Sequence, residues 1–148
     1  MSAHLRQAHL DAPLESVWEL VGTPSRHPEW WPRVIEVRGE RFDEGDQYAQ
    51  VTKDPFGGKA ETNFLLERLT ELREIRMTCE LTGMYANWLL TEAQGGTFVE
   101  VEIGMQPRRL GDRVFNRTLG QSYFRRWTSE SLDGLREALQ RQPEADRH

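Results

Sequence analysis

Apolar residues follow two different periods along this chain. Between about residue 34 and residue 106 they mostly alternate with polar residues, a pattern typical of strands that bury one face. Turn-forming groups rich in glycine, aspartate and proline separate these segments, which predicts short strands joined as an antiparallel meander. A further short strand is predicted at 4–10. The strands of the meander are predicted at about 34–41, 46–53, 60–69, 73–82, 85–93 and 97–106.

Two of these strands have one clean apolar face opposite a polar one. The faces consist of Ile75, Met77, Cys79 and Leu81 in one strand and Val99, Val101, Ile103 and Met105 in another. A sheet with one apolar face must bury that face against another layer of secondary structure. In the strand at 46–53 the pattern leaves two inward faces open, either Tyr48 with Gln50 and Thr52 or Ala49 with Val51.

Outside the meander the apolar spacing is helical. A helix is predicted from Pro13 to about residue 21, with Asp11 as its cap and Trp18 on its buried face. Gly22 and Pro24 end it. A second short helix is predicted at 27–31, capped by Ser25, with His27 as a capping or surface residue.

A long helix is predicted at about 111–141, with a buried residue at every fourth position. This stripe consists of Phe115, Leu119, Tyr123, Trp127, Ser131, Leu135 and Leu139. A four-residue step drifts by roughly 40° per step on a helix of 3.6 residues per turn, so the stripe wraps around the helix. The helix therefore suits a curved sheet, and the order of elements predicts an α+β fold.

Three segments carry a resemblance to a known family: APLESVWELV, HPEWWPRV and GGTFVEVEI. In their order and spacing they resemble polyketide cyclase/dehydrase-like proteins of the START, or helix-grip (SRPBCC), superfamily. The resemblance covers about residues 4–141. It implies a helix-grip fold, in which a curved antiparallel sheet of about seven strands wraps around the long C-terminal helix. Two short helices would follow the first strand, and a hydrophobic cavity would lie between sheet and helix.

Composition narrows the class of protein. The 148 residues suit one domain over 1–148, with an ordered core at about 4–141. The net charge of −5 argues against nucleic-acid binding. Cys79 is the only cysteine, and neither a leader sequence nor a span of about 18 apolar residues is recognisable, so we expect a cytoplasmic protein without an integral membrane segment.

No motif for a cofactor or a metal ion is recognisable. The four histidines are scattered, and the paired glycines at 57–58 and 95–96 do not continue as nucleotide-binding loops. We therefore predict neither a cofactor nor a metal site.

The candidate ligand site follows from the predicted cavity. The residues expected to line it are Tyr48, Phe64, Met77, Cys79, Trp88, Val101, Phe115, Leu119, Tyr123 and Trp127. Tyr123 is the foremost polar candidate, because it lies on the helix stripe itself. Phe56, on a turn with two glycines, is the candidate gate of the cavity.

The function predicted first is binding of a hydrophobic or aromatic small molecule, lipid-like or polyketide-like, in this cavity. A polyketide cyclase, aromatase or dehydratase is the alternative, with no catalytic residue assigned. A second alternative is a non-catalytic interaction module that uses the arginine-rich start of the long helix. Its partner would be an acyl-carrier protein or a membrane surface. The arginines concerned are Arg108, Arg109, Arg113 and Arg117, followed by Arg125 and Arg126.

Overall fold

The computed structural model describes residues 2–54, 56–106, 110–115, 117 and 121–141, without the side chains at 2, 3, 112 and 115. Within these ranges seven strands and four α-helices follow one another along the chain. The elements are β1 (Ser2–Leu10), α1 (Leu14–Val21), a 3₁₀ turn (Pro24–Arg26), α2 (His27–Trp30), β2 (Val34–Arg38), β3 (Gln47–Lys53), β4 (Lys59–Thr70), β5 (Glu74–Thr78), β6 (Met84–Ala93), β7 (Gly96–Met105), α3 (Leu110–Phe115) and α4 (Gln121–Arg141).

The strands form one antiparallel sheet in the order β1-β7-β6-β5-β4-β3-β2. All connections within the meander are hairpins, and β1 returns to pair with β7 along its whole length. The predicted fold class is confirmed: a seven-stranded antiparallel sheet packs on a C-terminal helix in a helix-grip arrangement.

The inner face of the sheet is dry, and the alternation read from the sequence explains why. The inward residues of β7 are Val99, Val101, Ile103 and Met105, which are all buried. In β5 the apolar face ends earlier than predicted. The strand stops at Thr78, Cys79 is buried just beyond it, and Leu81 lies in the following turn with 63% of its surface exposed. Gly83, in the same turn, has a left-handed φ of 80°.

The two short helices form where expected, but their caps and burial differ. Pro13 occupies the N-cap position of α1 without a side-chain hydrogen bond, so Asp11 is not the cap. Ser25 lies inside the 3₁₀ turn and does not cap α2. Trp18 is only partly buried and packs on the edge of the core, because Val17, Leu20 and Val21 take the inward positions of α1.

His27 is fully buried, so the expectation of a capping or surface residue was wrong. Its Nε2 atom donates to the Val21 carbonyl oxygen at 2.9 Å. The 3₁₀ turn reverses the chain between these two residues and turns the imidazole inward, where its ring meets the edges of Trp30 and Trp31. Burial lowers the pKa of His27 to about 4.

Helix α4 covers the inner face mainly over β1 and β7. The described part of the predicted stripe is buried, and α4 buries additional residues beside it, as a wrapping stripe requires. The buried residues of α4 are Tyr123, Phe124, Trp127, Thr128, Ser131, Leu132, Leu135 and Leu139. The predicted stripe residue Leu119 and the side chain of Phe115 lie outside the described residues.

Candidate functional site

A cluster of tryptophans fills the space between α2, α4 and the middle of the sheet. Trp30 and Trp31 stack with ring centroids 5.6 Å apart, and Trp31 stacks on Trp127 of α4 at the same distance. Trp88 of β6 meets Trp30 and Trp31 edge-on, at 5.2 and 5.6 Å. Such pairs favour offset or perpendicular geometry and fill volume efficiently. This part of the interior is therefore packed core.

Hydrogen bonds fix the cluster to the backbone and to α4. The indole N–H of Trp31 donates to Ser131 Oγ at 2.7 Å, and that of Trp127 donates to the Pro32 carbonyl oxygen at 2.7 Å. The indole of Trp30 donates to the Leu20 carbonyl oxygen at 3.0 Å. Three of the four clustered indoles thus satisfy their donors within the protein, which locks the segment before β2 onto α4.

The beginning of α4 is tied to the same segment through Arg33 and Tyr123. Arg33 holds a left-handed φ of 75°, and its guanidinium binds the Glu130 carboxylate at 2.9 and 3.3 Å. It also lies 4.9 Å from the centroid of the Tyr123 ring. The Tyr123 hydroxyl donates to the Lys53 carbonyl oxygen at 2.8 Å. Tyr123 was the foremost polar candidate for ligand binding, and its hydroxyl already donates a hydrogen bond to the backbone.

The inner face of β3 differs from this packed region because it is polar. Tyr48, Gln50 and Thr52 point inward and are buried, which settles the choice that the sequence left open. In the paired strand β4, Phe64 lies opposite Tyr48 and Thr62 lies opposite Gln50. A row of buried polar side chains therefore runs along the inside of the sheet, beside the apolar face of β4.

Two of these polar groups have no hydrogen-bond partner among the described residues. They are the hydroxyl of Tyr48 and the Oε1 atom of Gln50, on side chains that are 3% and 1% exposed. The amide nitrogen of Gln50 is satisfied, since it donates to Thr52 Oγ1 at 3.0 Å. An unsatisfied buried polar group costs about 1–3 kcal/mol, so most buried polar groups have partners. The described residues leave three further such atoms, on His4, His27 and Trp88.

A cavity of about 490 Å³ lies along β4, and Tyr48, Gln50 and Thr52 are not among the residues that line it. Among the described residues β5 pairs with β4 only over Leu65–Thr70, so the preceding half of β4 has no neighbour on that side. Residues 60–65 of β4 and residues 79–82 of the β5–β6 turn line the opening together with Gln47. Phe64 and Thr62, the cross-strand partners of Tyr48 and Gln50, are part of this lining.

Two further cavities lie on the surface around α4. One, of about 460 Å³, follows residues 28–35 and reaches Lys53, Gly134 and Arg141. Its charges are mixed, and Arg33 on its wall is already paired with Glu130. The other, of about 200 Å³, lies between residues 9–12 and the end of α4. None of the three cavities is lined by Tyr48 or Gln50.

The predicted cavity residues separate into two groups in the structure. Tyr48, Phe64, Met77, Cys79, Trp88, Val101, Tyr123 and Trp127 are all buried. Of these, Phe64 and Cys79 line the cavity beside β4, whereas Trp88 and Trp127 belong to the tryptophan cluster. Of three prominent cavities bordered by the described residues, none is lined by Met77, Trp88, Val101, Tyr123 or Trp127.

The candidate gate residue Phe56 is exposed, with 74% of its surface accessible. The turn that carries it is held by Asp54, whose carboxylate accepts from the backbone N–H groups of Phe56 and Gly58 at 2.8 and 3.0 Å. Leu81 is exposed at the same end of the sheet, as are Leu110 and Val114 in the helix that follows β7. This end of the molecule therefore presents an unusual share of apolar side chains to solvent.

Comparison with known families decides which fold family this is. The family model described as polyketide cyclase / dehydrase and lipid transport matches residues 4–140. The chain belongs to this family. The resemblance carried by the three sequence segments is thereby confirmed. A comparison with curated proteins found no match.

Solved structures of other members of this fold agree. A protein from Bacillus halodurans is 16% identical, with a TM-score of 0.72 over 93% of this chain and 96% of that one. A protein from Chromobacterium violaceum is 17% identical, with a TM-score of 0.72 over 95% and 99%. A START superfamily protein from Mycobacterium smegmatis is 14% identical, with a TM-score of 0.69 over 94% of each chain. At these identities the likeness establishes the fold alone.

The described residues also bear on metal binding and on membrane insertion. No group of three or more histidine, cysteine or acidic side chains there is arranged to hold a metal ion. None of the described helices combines the length and apolar character that a membrane span requires.

Gln50 was only one of several polar candidates in the sequence, and its prominence comes from the structure. The sequence contained one signal for it. Polar residues recur at every second position of 46–53, which is uncommon for a strand face that points into the core. Periodicity alone could not show which alternate set faces inward, because Ala49 and Val51 form an equally regular set.

Proposed function

We propose that this protein binds a hydrophobic or aromatic small molecule, which enters beside the first half of β4, the half that β5 does not pair with. The observation that carries the proposal is the cavity of about 490 Å³ against the buried side chains of Phe64 and Cys79. Pockets for small molecules usually measure roughly 300–1,000 Å³ and are mainly apolar with a few polar groups. The family description, which includes lipid transport, supports the same class of ligand.

Native mass spectrometry of freshly purified protein tests the proposal directly. We expect a co-purified apolar compound, or binding of the neutral fluorescent probe N-phenyl-1-naphthylamine. Ala60→Trp should reduce probe binding, because Ala60 is exposed on the wall of the cavity and an indole there would occupy it. Thr91→Trp is the matched control, since Thr91 is exposed on β6 and lines none of the three cavities.

Equal probe binding by both variants and the wild type would place the probe elsewhere and contradict the proposed location. No co-purified compound together with no probe binding would contradict the proposed function itself.

A cyclase, aromatase or dehydratase is a less favoured candidate. Such chemistry needs a general acid or base aimed at a carbonyl group of the substrate. The inward side chains of β3 include one titratable group, Tyr48, and burial raises its pKa, which keeps the hydroxyl protonated. The interior of β3 thus supplies hydrogen bonds and no base. The carboxylates on the cavity wall, Glu61 and Glu80, are exposed and lack the burial that usually tunes a general base, which supports binding over proton abstraction.

The exposed end of the sheet favours a second role, docking to an anionic partner. Leu110 and Val114 lie one helical turn apart in α3 and are 77% and 55% exposed, and Arg113 and Arg117 are exposed nearby. Arginines beside apolar side chains suit an anionic membrane surface. An acyl-carrier protein is the other candidate for an anionic partner. Co-sedimentation with vesicles of phosphatidylglycerol and phosphatidylcholine tests the first, and Leu110→Asp should abolish it. Binding to neutral vesicles of equal strength would contradict the charge argument.

A further inference from the structure

The first half of β4 carries backbone groups that no neighbouring strand of the described residues uses. β4 pairs with β3 along residues 59–65, but it pairs with β5 only from Leu65 onward. A strand edge of this kind presents alternate N–H and C=O groups to which an extended ligand can bind. The hydrogen bonds that β4 makes to β3 decide which residues turn these groups towards the side without a neighbour.

The direction of the groups follows from the alternation in an antiparallel pair. The Leu66 N–H donates to the Asp46 carbonyl oxygen at 2.9 Å, and the Leu66 carbonyl oxygen accepts from the Gly45 N–H at 2.8 Å. The register between β3 and β4 continues from there without a shift. Even-numbered residues of this half therefore bond to β3, whereas Glu61 and Asn63 direct their N–H and C=O groups to the opposite side. No backbone group of the described residues bonds to them there.

The cavity of about 490 Å³ lies on that opposite side. Six consecutive residues of β4, 60–65, line it together with residues 79–82 of the turn that follows β5. A cavity over one face of a strand would be lined by every second residue, because successive side chains point to opposite faces. The unbroken run therefore places the cavity along the edge of β4, where the backbone groups of Glu61 and Asn63 are directed.

A ligand that uses this edge must offer matching groups in the same arrangement. A strand residue presents its own N–H and C=O on one side, so its partner needs an N–H and a C=O attached to one carbon atom. A single trans amide does not suffice, since its N–H and C=O point in opposite directions. The matching unit is an acylated amino acid amide, –CO–NH–CHR–CO–NH–.

The apolar part of the wall favours Asn63 as the position of this unit. With the amino acid opposite Asn63, the acyl group before it lies opposite Phe64 and on the same face as that ring. The side chains of Phe64 and Cys79 are buried and line the cavity. An apolar acyl group would therefore contact the apolar part of the wall.

The charged side chains of the wall indicate a neutral ligand. The wall carries Glu61 and Glu80 and no lysine, arginine or histidine. Arg38, which pairs with Glu61, lies outside the wall and also pairs with Glu36. A ligand carboxylate would approach two acidic side chains, so an acylated amino acid with a free carboxylate fits less well than its amide.

We propose that the edge of β4 at Asn63 binds a neutral peptide-like ligand, an acylated amino acid amide with an apolar acyl group. The amino acid N–H of the ligand donates to the Asn63 carbonyl oxygen, and its C=O accepts from the Asn63 N–H. This inference rests on the ligand-binding function proposed above and adds the chemical class that the edge selects.

Matched ligands test it on the wild type. They are N-(2-naphthoyl)-L-leucine methylamide and its analogue with an ester oxygen in place of the leucine N–H. Isothermal titration should give about fivefold tighter binding of the methylamide, as expected for one hydrogen bond. The free acid N-(2-naphthoyl)-L-leucine should also bind about fivefold more weakly than the methylamide, because of the two carboxylates on the wall.

Proline substitution removes the backbone donor itself. Asn63→Pro deletes the N–H that faces the cavity and keeps the bonds between β3 and β4, so it should weaken methylamide binding about fivefold or more. Asn63→Ala is the matched control, because it keeps the N–H and should bind as the wild type does. Both variants should bind N-phenyl-1-naphthylamine like the wild type, since this probe contains no peptide unit.

Thermal unfolding without ligand checks the direction of the backbone groups. The Thr62 N–H faces β3, so Thr62→Pro should lower the Tm by at least about 5 °C more than Asn63→Pro does. Equal losses would show that the sheet also uses the Asn63 N–H and would overturn the inference.

The binding outcomes separate the two proposals. The peptide-like ligand is wrong, while ligand binding stands, if N-phenyl-1-naphthylamine binds but the methylamide shows no preference over its ester analogue. The same holds if Asn63→Pro and Asn63→Ala bind the methylamide equally. Equal binding of the free acid and the methylamide would overturn the requirement for a neutral ligand. If neither the naphthoyl ligands nor N-phenyl-1-naphthylamine bind, the proposed function fails, and this inference fails with it.

Discussion

The interior of this protein has two regions that handle polar atoms in opposite ways. Around Trp31 and Trp127 the rings stack, and most indole N–H groups reach a carbonyl or a hydroxyl within the protein. Along β3 the side chains are equally buried, yet Tyr48 and Gln50 each keep a polar atom without a partner among the described residues, one strand away from a cavity. The first region has the properties of a structural core, and the second lies next to the strand that lines the proposed ligand cavity.

The difference teaches that burial alone does not separate core from site. Trp88 and Tyr48 are both almost fully buried, and both appeared as cavity candidates in the sequence. What separates them is the neighbourhood. Both rings contact two other rings, and both carry a polar atom without a partner among the described residues. They differ in position, because Trp88 lies among the other tryptophans whereas Tyr48 lies opposite the half of β4 that β5 does not pair with.

The largest expected effect is on stability in the tryptophan cluster. Trp127→Ala removes a fully buried ring that stacks on Trp31 and donates to the Pro32 carbonyl oxygen. We expect a loss of about 3–5 kcal/mol in the free energy of unfolding, measured by urea denaturation.

Trp18→Ala provides the comparison within the same residue type. Trp18 is only partly buried, so its removal should cost about 1–2 kcal/mol, well below the value for Trp127. Equal losses for the two variants would mean that the tryptophan cluster has no special role in stability.

A pH effect is expected in the same region from His27. Burial lowers its pKa to about 4 in the folded protein, whereas a histidine in the unfolded chain titrates near 6.5. Between these values the unfolded chain binds a proton that the folded chain does not, so stability falls as the pH is lowered. The loss from pH 7 to pH 4 should be on the order of 3 kcal/mol.

His27→Gln isolates this contribution from the titration of carboxylates. The amide keeps a donor for the Val21 carbonyl oxygen but does not titrate. Urea denaturation at pH 7 and pH 4.5 should show a smaller loss in the variant than in the wild type. Parallel losses would mean that His27 takes up no extra proton on unfolding.

The contact between α4 and the segment before β2 is tested by a single methyl group. At Gly134 an added Cβ would lie 2.3 Å from the Trp30 carbonyl oxygen and 2.7 Å from Pro32 Cδ. Gly134→Ala should therefore destabilise by about 1–3 kcal/mol despite the better helix propensity of alanine. Gly111→Ala in α3 is the control, since nothing lies within 4 Å of its added Cβ. Equal Tm values for both variants would contradict the close packing.

The smallest expected effect concerns Phe56 and is purely kinetic. If its exposed ring gates the cavity, Phe56→Ala should change the on- and off-rates of N-phenyl-1-naphthylamine by similar factors. The equilibrium affinity and the free energy of unfolding should remain within error of the wild type. Stopped-flow rates identical to those of the wild type would exclude the gate.

Much of the fold could be predicted because its signals are periodic. The alternation in β7 and the four-residue stripe from Tyr123 to Leu139 each predicted a buried face that the structure confirms. Local chain reversals were harder. The 3₁₀ turn that buries His27 depends on Pro24 and on packing against two tryptophans, and no periodic pattern encodes it.

The candidate site was less predictable because it depends on where two strands part. The sequence assigned one continuous strand through 73–82, whereas β5 ends at Thr78 and leaves half of β4 without a partner on that side. The cavity exists because of that early end. The apolar alternation continues to Leu81, so hydrophobicity alone gives no sign of it.

The pairing of β1 with β7 also has a consequence for how the chain acquires its structure during synthesis. The register joins Ser2 to Met105 and Leu10 to Thr97, so the first strand has no partner until residue 97 has been made and is fully paired only after residue 105. The helix that covers both strands, α4, follows later still. Contacts this distant in sequence form slowly because a long loop must close first. We therefore expect β1 to remain available to chaperones until most of the chain has left the ribosome.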